Sequence, residues 1–255
     1  MERYSIVTYN FGNYELLREP AIVSENCDYI CITDRYDLKS DVWKFVYDEE
    51  INNSTLTERQ RAYKTKNLFL KYVTTDVAIR IDGSIGILEN CDELVEKFRN
   101  AGYDAACMTH LDRDNALTEY YVWEMCRGNS PEFTRKYVDY CNSIGFDCTT
   151  KGLIETMLVI QKNNEINKKI NENVVSTMME VNNFEDQVEQ IWYTLQVLLN
   201  YDKMKILFLY HRQPVNSRYF QLHYHNSDIR VIEHYDTNIP AIGVFNNNIV
   251  DCNYI

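Results

Sequence analysis

Short apolar runs rich in β-branched and aromatic residues alternate with longer segments of helical period, and the switches between them predict the elements. Residues 4–9 and 28–33 read as buried strands, closed by the turn-prone Asn10-Phe11-Gly12-Asn13 and by Asp34-Arg35. A third short strand is expected over 43–47. Residues 56–72 follow as a helix with Thr57 as its cap, carrying basic residues around its surface. From Ala78 the run is apolar again apart from Arg80, and it breaks at Asp82-Gly83-Ser84, so a strand delivers one carboxylate to its C-terminal end. Asp92-Glu93 early and Lys97 late suit a helix dipole, with Gly102 closing that helix. A strand over 105–109, a Tyr-rich helical segment around Glu119, a Ser130-Pro131-initiated helix to 143, a strand over 153–160 and an amphipathic helix over 185–199 complete the pattern. After 206 only short β segments are expected. The alternation predicts an α/β fold with a mixed central sheet flanked by helices, in one domain over 1–255 whose β-rich tail, 206–255, completes the site.

Composition narrows the function. With 255 residues, 45% of them hydrophobic, the chain can bury a full core. Its 26 basic against 38 acidic residues give a formal charge of -12, which repels polyanions and disfavours nucleic acid as a partner. The eight cysteines form neither a C-x-x-C pair nor a zinc-spaced cluster, and are expected to be reduced and mostly buried. The opening residues lack the pattern of a signal peptide, and no apolar run approaches the roughly 18 residues of a membrane helix, so a soluble, cytoplasmic protein without a membrane span is expected. G-x-G-x-x-G, a Walker loop and G-x-S-x-G are all absent, which disfavours dinucleotide oxidoreduction, P-loop phosphoryl transfer and Ser/His/Asp hydrolysis.

The chemistry-bearing residues sit at predicted strand ends. Asp82 could hold a hard divalent cation through oxygen, and Ser84 stands where a D-x-D motif would place its second acid. Arg61 and Lys64, three apart on one helical face, could neutralise a leaving group beside Asp82. Tyr9, Asn10 and Gly12 follow the first strand and Asp34 the second, where a doubly wound sheet holds a nucleotide. In His223-Tyr224-His225 the two imidazoles would share one face of a strand.

Several of these segments, in order, resemble a glycosyltransferase-like family that includes plant mucilage-associated and bacterial capsule-locus proteins. They are Tyr9-Asn10-Phe11-Gly12-Asn13-Tyr14, Leu17-Arg18-Glu19-Pro20, residues 26–34, Trp43, Arg61-Ala62-Tyr63-Lys64, Ile81-Asp82-Gly83-Ser84-Ile85, His110 with Arg113 and Glu119, Gly152-Leu153-Ile154-Glu155-Thr156, and Asp186-Gln187. The resemblance spans about residues 4–200 and implies a GT-A, Rossmann-like fold that moves a sugar from a nucleotide-sugar donor to a glycan or other hydroxyl acceptor. It implies donor contacts from Tyr9, Asn10, Gly12, Asp34, Arg61 and Lys64, and from Arg80, Asp82, Gly83, Ser84, His110 and Arg113. Mn2+ or Mg2+ would be held by Asp82, Ser84 and a late histidine, His225. Asp186, Gln187 and Glu155 are the implied catalytic residues, Asp186 as general base or as a donor-sugar contact, with inversion or retention left open. Two alternatives stand beside this reading: a non-catalytic sugar- or protein-binding relative, and a viral-type transferase acting on nucleic-acid bases, against which the charge of -12 weighs.

Overall fold

The computed structural model describes residues 2–110, 112–186, 188–233, 241–253 and 255. Its first half lays down β1 (Tyr4–Asn10), β2 (Cys27–Thr33), β3 (Lys44–Val46), the single-turn α1 (Glu49–Asn52), α2 (Glu58–Leu68) and β4 (Val77–Ile81). Then come β5 (Ile85–Ile87), α3 (Asp92–Ala101), β6 (Ala105–Thr109), α4 (Ala116–Arg127), α5 (Pro131–Ser143) and β7 (Ile154–Lys162). The remainder is α6 (Glu165–Asn182), α7 (Glu189–Leu199), β8 (Ile206–Leu209), β9 (Phe220–Leu222), β10 (Ile242–Phe245) and β11 (Asn248–Asp251).

Seven strands form one sheet in the order β3-β2-β1-β4-β7-β6-β8. All run parallel except β7, which is antiparallel to both neighbours. The α/β fold with a mixed, helix-flanked central sheet is therefore as expected, and the tail supplies an edge strand to it. Two small antiparallel pairs lie outside the sheet, β5 with β9 and β10 with β11.

Capping follows the sequence signals closely. Thr57 and Gln60 form a reciprocal capping box at α2, Ser130 caps α5 with Pro131 at its first position, and Gly102 ends α3 at φ 73°, a left-handed conformation costly for other residues. The alternation of strand side chains divides the core in two. One face of the sheet packs Tyr4, Ile6, Ile79, Ile81, Leu158 and Ile160 against Leu94, Val95 and Phe98 of α3 and against β5 and β9. The other packs Val7, Ala78 and Val159 under α2, α6 and α7, with α4 and α5 outside them.

The single-turn α1 has no counterpart in the sequence reading, α2 ends at Leu68 rather than at 72, and two later helices differ from that reading more. Residues 165–182, to which the sequence reading assigned no element, form the 18-residue α6, whose buried face includes Asn167 and Asn171 alongside Ile170 and Val174. The Asn167 Nδ2 donates to the Asp104 and Lys162 carbonyls and Asn171 pairs with Gln161, and the polarity of the two asparagines breaks the apolar stripe that a helical period would show. The helix expected from 185 begins only at Glu189, because Asn183 and Phe184 take left-handed φ of 52° and 58° and turn the chain first.

Candidate active site at the carboxyl edge of the sheet

From β1 the chain proceeds outward to β2 and β3, then returns to place β4 on the other side of β1, so the sheet has its switch point between β1 and β4. In open α/β sheets that is where ligands bind, beyond the carboxyl ends of the strands. Tyr9 closes β1 and Asp82 follows β4. On both strands alternate residues face the same way, which puts Val7 and Tyr9 on the side of Ala78, Arg80 and Asp82.

The Tyr9 hydroxyl donates to Asp82 Oδ1 across the switch point at 2.7 Å. Arg80 Nη1 donates to the same oxygen at 3.2 Å and also to the Thr156 carbonyl. Lys66, in the last turn of α2, brings its ammonium to 3.2 Å from the Asp82 carboxylate and 2.7 Å from Glu189 Oε1, and the Thr156 hydroxyl donates to that Glu189 oxygen. Two cations and two carboxylates thus form one neutral cluster. Arg80, Lys66 and Glu189 are buried, while 22% of the Asp82 side chain stays open. Burial opposes ionisation of Glu189, yet Lys66, Thr156 and Arg80 together hold its carboxyl below the ordinary range. Burial and the adjacent Asp82 push the Tyr9 phenol well up, so it remains a proton donor.

A strap crosses this cluster. Glu15 lies against Gly83, where a Cβ would stand 2.9 Å from Glu15 Cγ, so the close crossing requires glycine. His225 pairs through Nδ1 with Glu15 Oε1, and the Asn226 N–H donates to Glu15 Oε2 at 3.3 Å. Arg18 donates to the Gly83 carbonyl at 2.8 Å and to that of Ser227. The hydrogen bond to Glu15 raises the His225 pKa, partly offset by burial. Beneath the strap a cavity of only about 10 Å³ remains, lined by Tyr9, Asn10, Arg18, Trp43 and Gly83 among others. Asn10 holds the strap's backbone by donating to the Glu15 carbonyl at 3.1 Å, and its own side-chain oxygen is buried without a partner among the described residues.

Other expected donor contacts have different partners. Arg61 binds Asp34 at 3.0 Å and Lys64 binds Glu50 at 3.2 Å, so neither reaches Asp82. The cation at Asp82 is Lys66, two residues on and therefore about 200° around the helix from Lys64. Asp34 also accepts the Gly12 N–H at 2.9 Å, fixing a turn in which Gly12 has φ 60°. His223 and His225 do not converge: β9 ends at Leu222, the His223 ring faces the Asp228 carbonyl and His225 faces Glu15.

The antiparallel β7 starts at the same edge, beside the ends of β6 and β8. There a cavity of about 430 Å³ is lined by Thr109, His110, Asp112, Arg113, His211 and Val244, among others. Burial, Arg113 and Arg212 push the His110 pKa down to about 3, leaving a neutral ring with Arg113 Nη2 at 3.0 Å from Nε2. Arg113 also pairs with the buried Glu119, which accepts from Trp123 and Gln190 at 2.8 Å each. Glu155 pairs with Arg212 at 2.7 Å, while its second oxygen is buried without a partner among the described residues. Burial raises the Glu155 pKa despite Arg212.

Asp186 is fully buried in the turn between α6 and α7. It accepts from the Tyr120 hydroxyl, Trp192 Nε1 at 3.1 Å and the Val188 N–H at 3.0 Å. The carboxylate expected as general base or donor-sugar contact is thus enclosed by donors in this structure and anchors the turn. Gln187, its expected partner, lies outside the described residues. The expected Mn2+ or Mg2+ set does not fit either. Ser84 is buried at the start of the β5–β9 pair, its carbonyl accepting from the His223 N–H at 2.9 Å, His225 is taken by Glu15, and Asp82 already has two cations. Among the described residues no three His, Cys, Asp or Glu side chains gather as a metal would need.

No family model and no curated protein matches the sequence. Among solved structures, the chain is similar to core-mannan synthase A of Aspergillus fumigatus in its Mn/GDP form, at 7% identity and a TM-score of 0.46, over 82% of this chain and 73% of that one. No described helix is long and apolar enough to cross a membrane.

Proposed function

We propose that the protein is a glycosyltransferase that moves a sugar from a nucleotide-sugar donor to a hydroxyl acceptor. The observation that carries this reading is the pairing of Tyr9 with Asp82 across the switch point, with Arg80 and Lys66 beside it. The ordered motifs resembling a glycosyltransferase-like family support it. In this reading the diphosphate lies at the β1–β4 crevice once the strap lifts. The cations there stabilise the charge that grows on the leaving group as the glycosidic bond breaks. The larger cavity at the ends of β6 and β8 receives the acceptor, where neutral His110 and the Arg113 guanidinium offer hydrogen bonds to hydroxyls.

Donor binding without turnover is a second reading, favoured by the burial of Asp186, which removes the expected general base. Release of nucleoside diphosphate from a panel of nucleotide sugars separates the two. Transfer requires release that rises with an acceptor and is lost in Asp82→Ala. A donor that binds but is never cleaved supports the second reading, and a panel with no bound member refutes both.

A further inference from the structure

We infer that this site binds its nucleotide without a divalent cation, the Lys66 ammonium and the Arg80 guanidinium occupying the electrostatic role a metal would otherwise fill. The inference rests on the donor-site reading above and concerns how that site holds a diphosphate. A metal-bridged diphosphate needs carboxylates with charge to spare, because a hard dication is held by several oxygens and by net negative potential. Asp82 has none to spare: Lys66 Nζ and Arg80 Nη1 both stand 3.2 Å from it, where they repel a dication. Neither cation is free to leave. Lys66 is 2.7 Å from the buried Glu189, and its departure would strand that carboxylate in the interior, a severe penalty. Arg80 is buried and tied to the Thr156 carbonyl on β7.

The ammonium can still meet a ligand: it has three N–H bonds and Lys66 meets two carboxylates, while the buried Arg80 acts through its charge and by holding Asp82. Asp82 therefore aims and holds the cations. It acts as a positioning residue, 22% of its side chain still open, and the oxygens that would ligate a metal instead orient the Lys66 ammonium that meets the phosphate.

Calorimetric titration of the full chain with uridine and guanosine diphosphates tests this, in chelator and then with Mn2+ or Mg2+ in excess. The expected result is a nucleotide affinity equal in both arms, with the Mn2+ paramagnetic resonance signal unchanged on adding protein alone. Binding that appears only with the cation overturns the inference and leaves the donor-site reading intact. Absence of binding in both arms overturns the two together. Because Lys66→Ala strands Glu189 and endangers the fold, the matching variant is Lys66→Met combined with Glu189→Gln, which keeps the interior neutral. Its affinity should fall roughly tenfold to a hundredfold, the weight of a hydrogen bond from a charged donor, with its circular dichroism unchanged. Undiminished affinity in a folded double variant overturns the assignment to Lys66.

Discussion

Lys66 and Glu189 show why residue type alone leaves a site half read. Every acid and base on α2 and at the start of α7 is visible in the sequence, but which ones meet depends on the face each helix turns inward. Arg61 and Lys64 share a face, and that face turns to Asp34 and Glu50, leaving Lys66 inward. Thr65-Lys66-Asn67 reads as polar in the sequence, and only the fold buries it near the end of α2, before Phe69 and Leu70. Removing one member of its buried pair should be costly. Lys66→Ala is expected to lose about 3–5 kcal/mol in urea unfolding, whereas Lys66→Met with Glu189→Gln should recover most of that loss. Gly83→Ala tests the strap crossing at the same scale. Its Cβ would meet Glu15, and a cost of about 1–3 kcal/mol is expected from the forced displacement.

At the scale of elements, the strap made of residues 13–18 and 223–227 is a closure that the sequence scarcely announces. Its two halves are over 200 residues apart, joined by His225 with Glu15 and by Arg18 with Ser227. The His225 pKa is raised in the fold, so its contribution is complete below the ordinary histidine value and is lost as pH rises through the raised one. Hydrogen exchange over residues 13–18, corrected for intrinsic rates, should therefore accelerate with alkalinity in the native chain and lose this step in His225→Ala. An unchanged profile in the variant would assign the closure to Arg18 alone. The strands and capped helices were legible for the opposite reason, since their signals are local: Thr57 with Gln60, Ser130 with Pro131, and Gly102 each act within one turn. The α6 helix was not, because its inward asparagines pair outside the helix, Asn167 with the Asp104 carbonyl 63 residues away and Asn171 with Gln161 on β7.

Over the whole molecule, the carboxyl edge divides into a crevice at β1–β4 and a cavity at β6–β8, separated by β7. The sequence placed Tyr9, Asp82, His110 and Arg113 at strand ends and hence on one edge, but it could not tell that the first two belong to one half and the last two to the other. Strand order, set by long-range pairing, decides that. If the halves serve donor and acceptor separately, filling the second should spare the first. Val244→Trp, a residue lining the larger cavity, is expected to leave nucleotide affinity unchanged and to suppress transfer to an added acceptor, measured with one donor in parallel. A loss of nucleotide affinity would show that the two halves are not separate.

The position of β7 also bears on how the chain assembles as it is made. It lies between β4 and β6 in the sheet but follows both in the chain, so a nascent polypeptide halted before Ile154 holds β3-β2-β1-β4 on one side and β6 with no neighbour on the other. The open edge of β4 and both edges of β6 would then face solvent, templates for pairing with other chains. Protection from protease on the ribosome should appear late and in one step, once β7 has emerged and α6 and α7 can close over it. The vulnerable interval of this protein's life is the translation of the segment that leads to the reversed strand of its seven-stranded sheet.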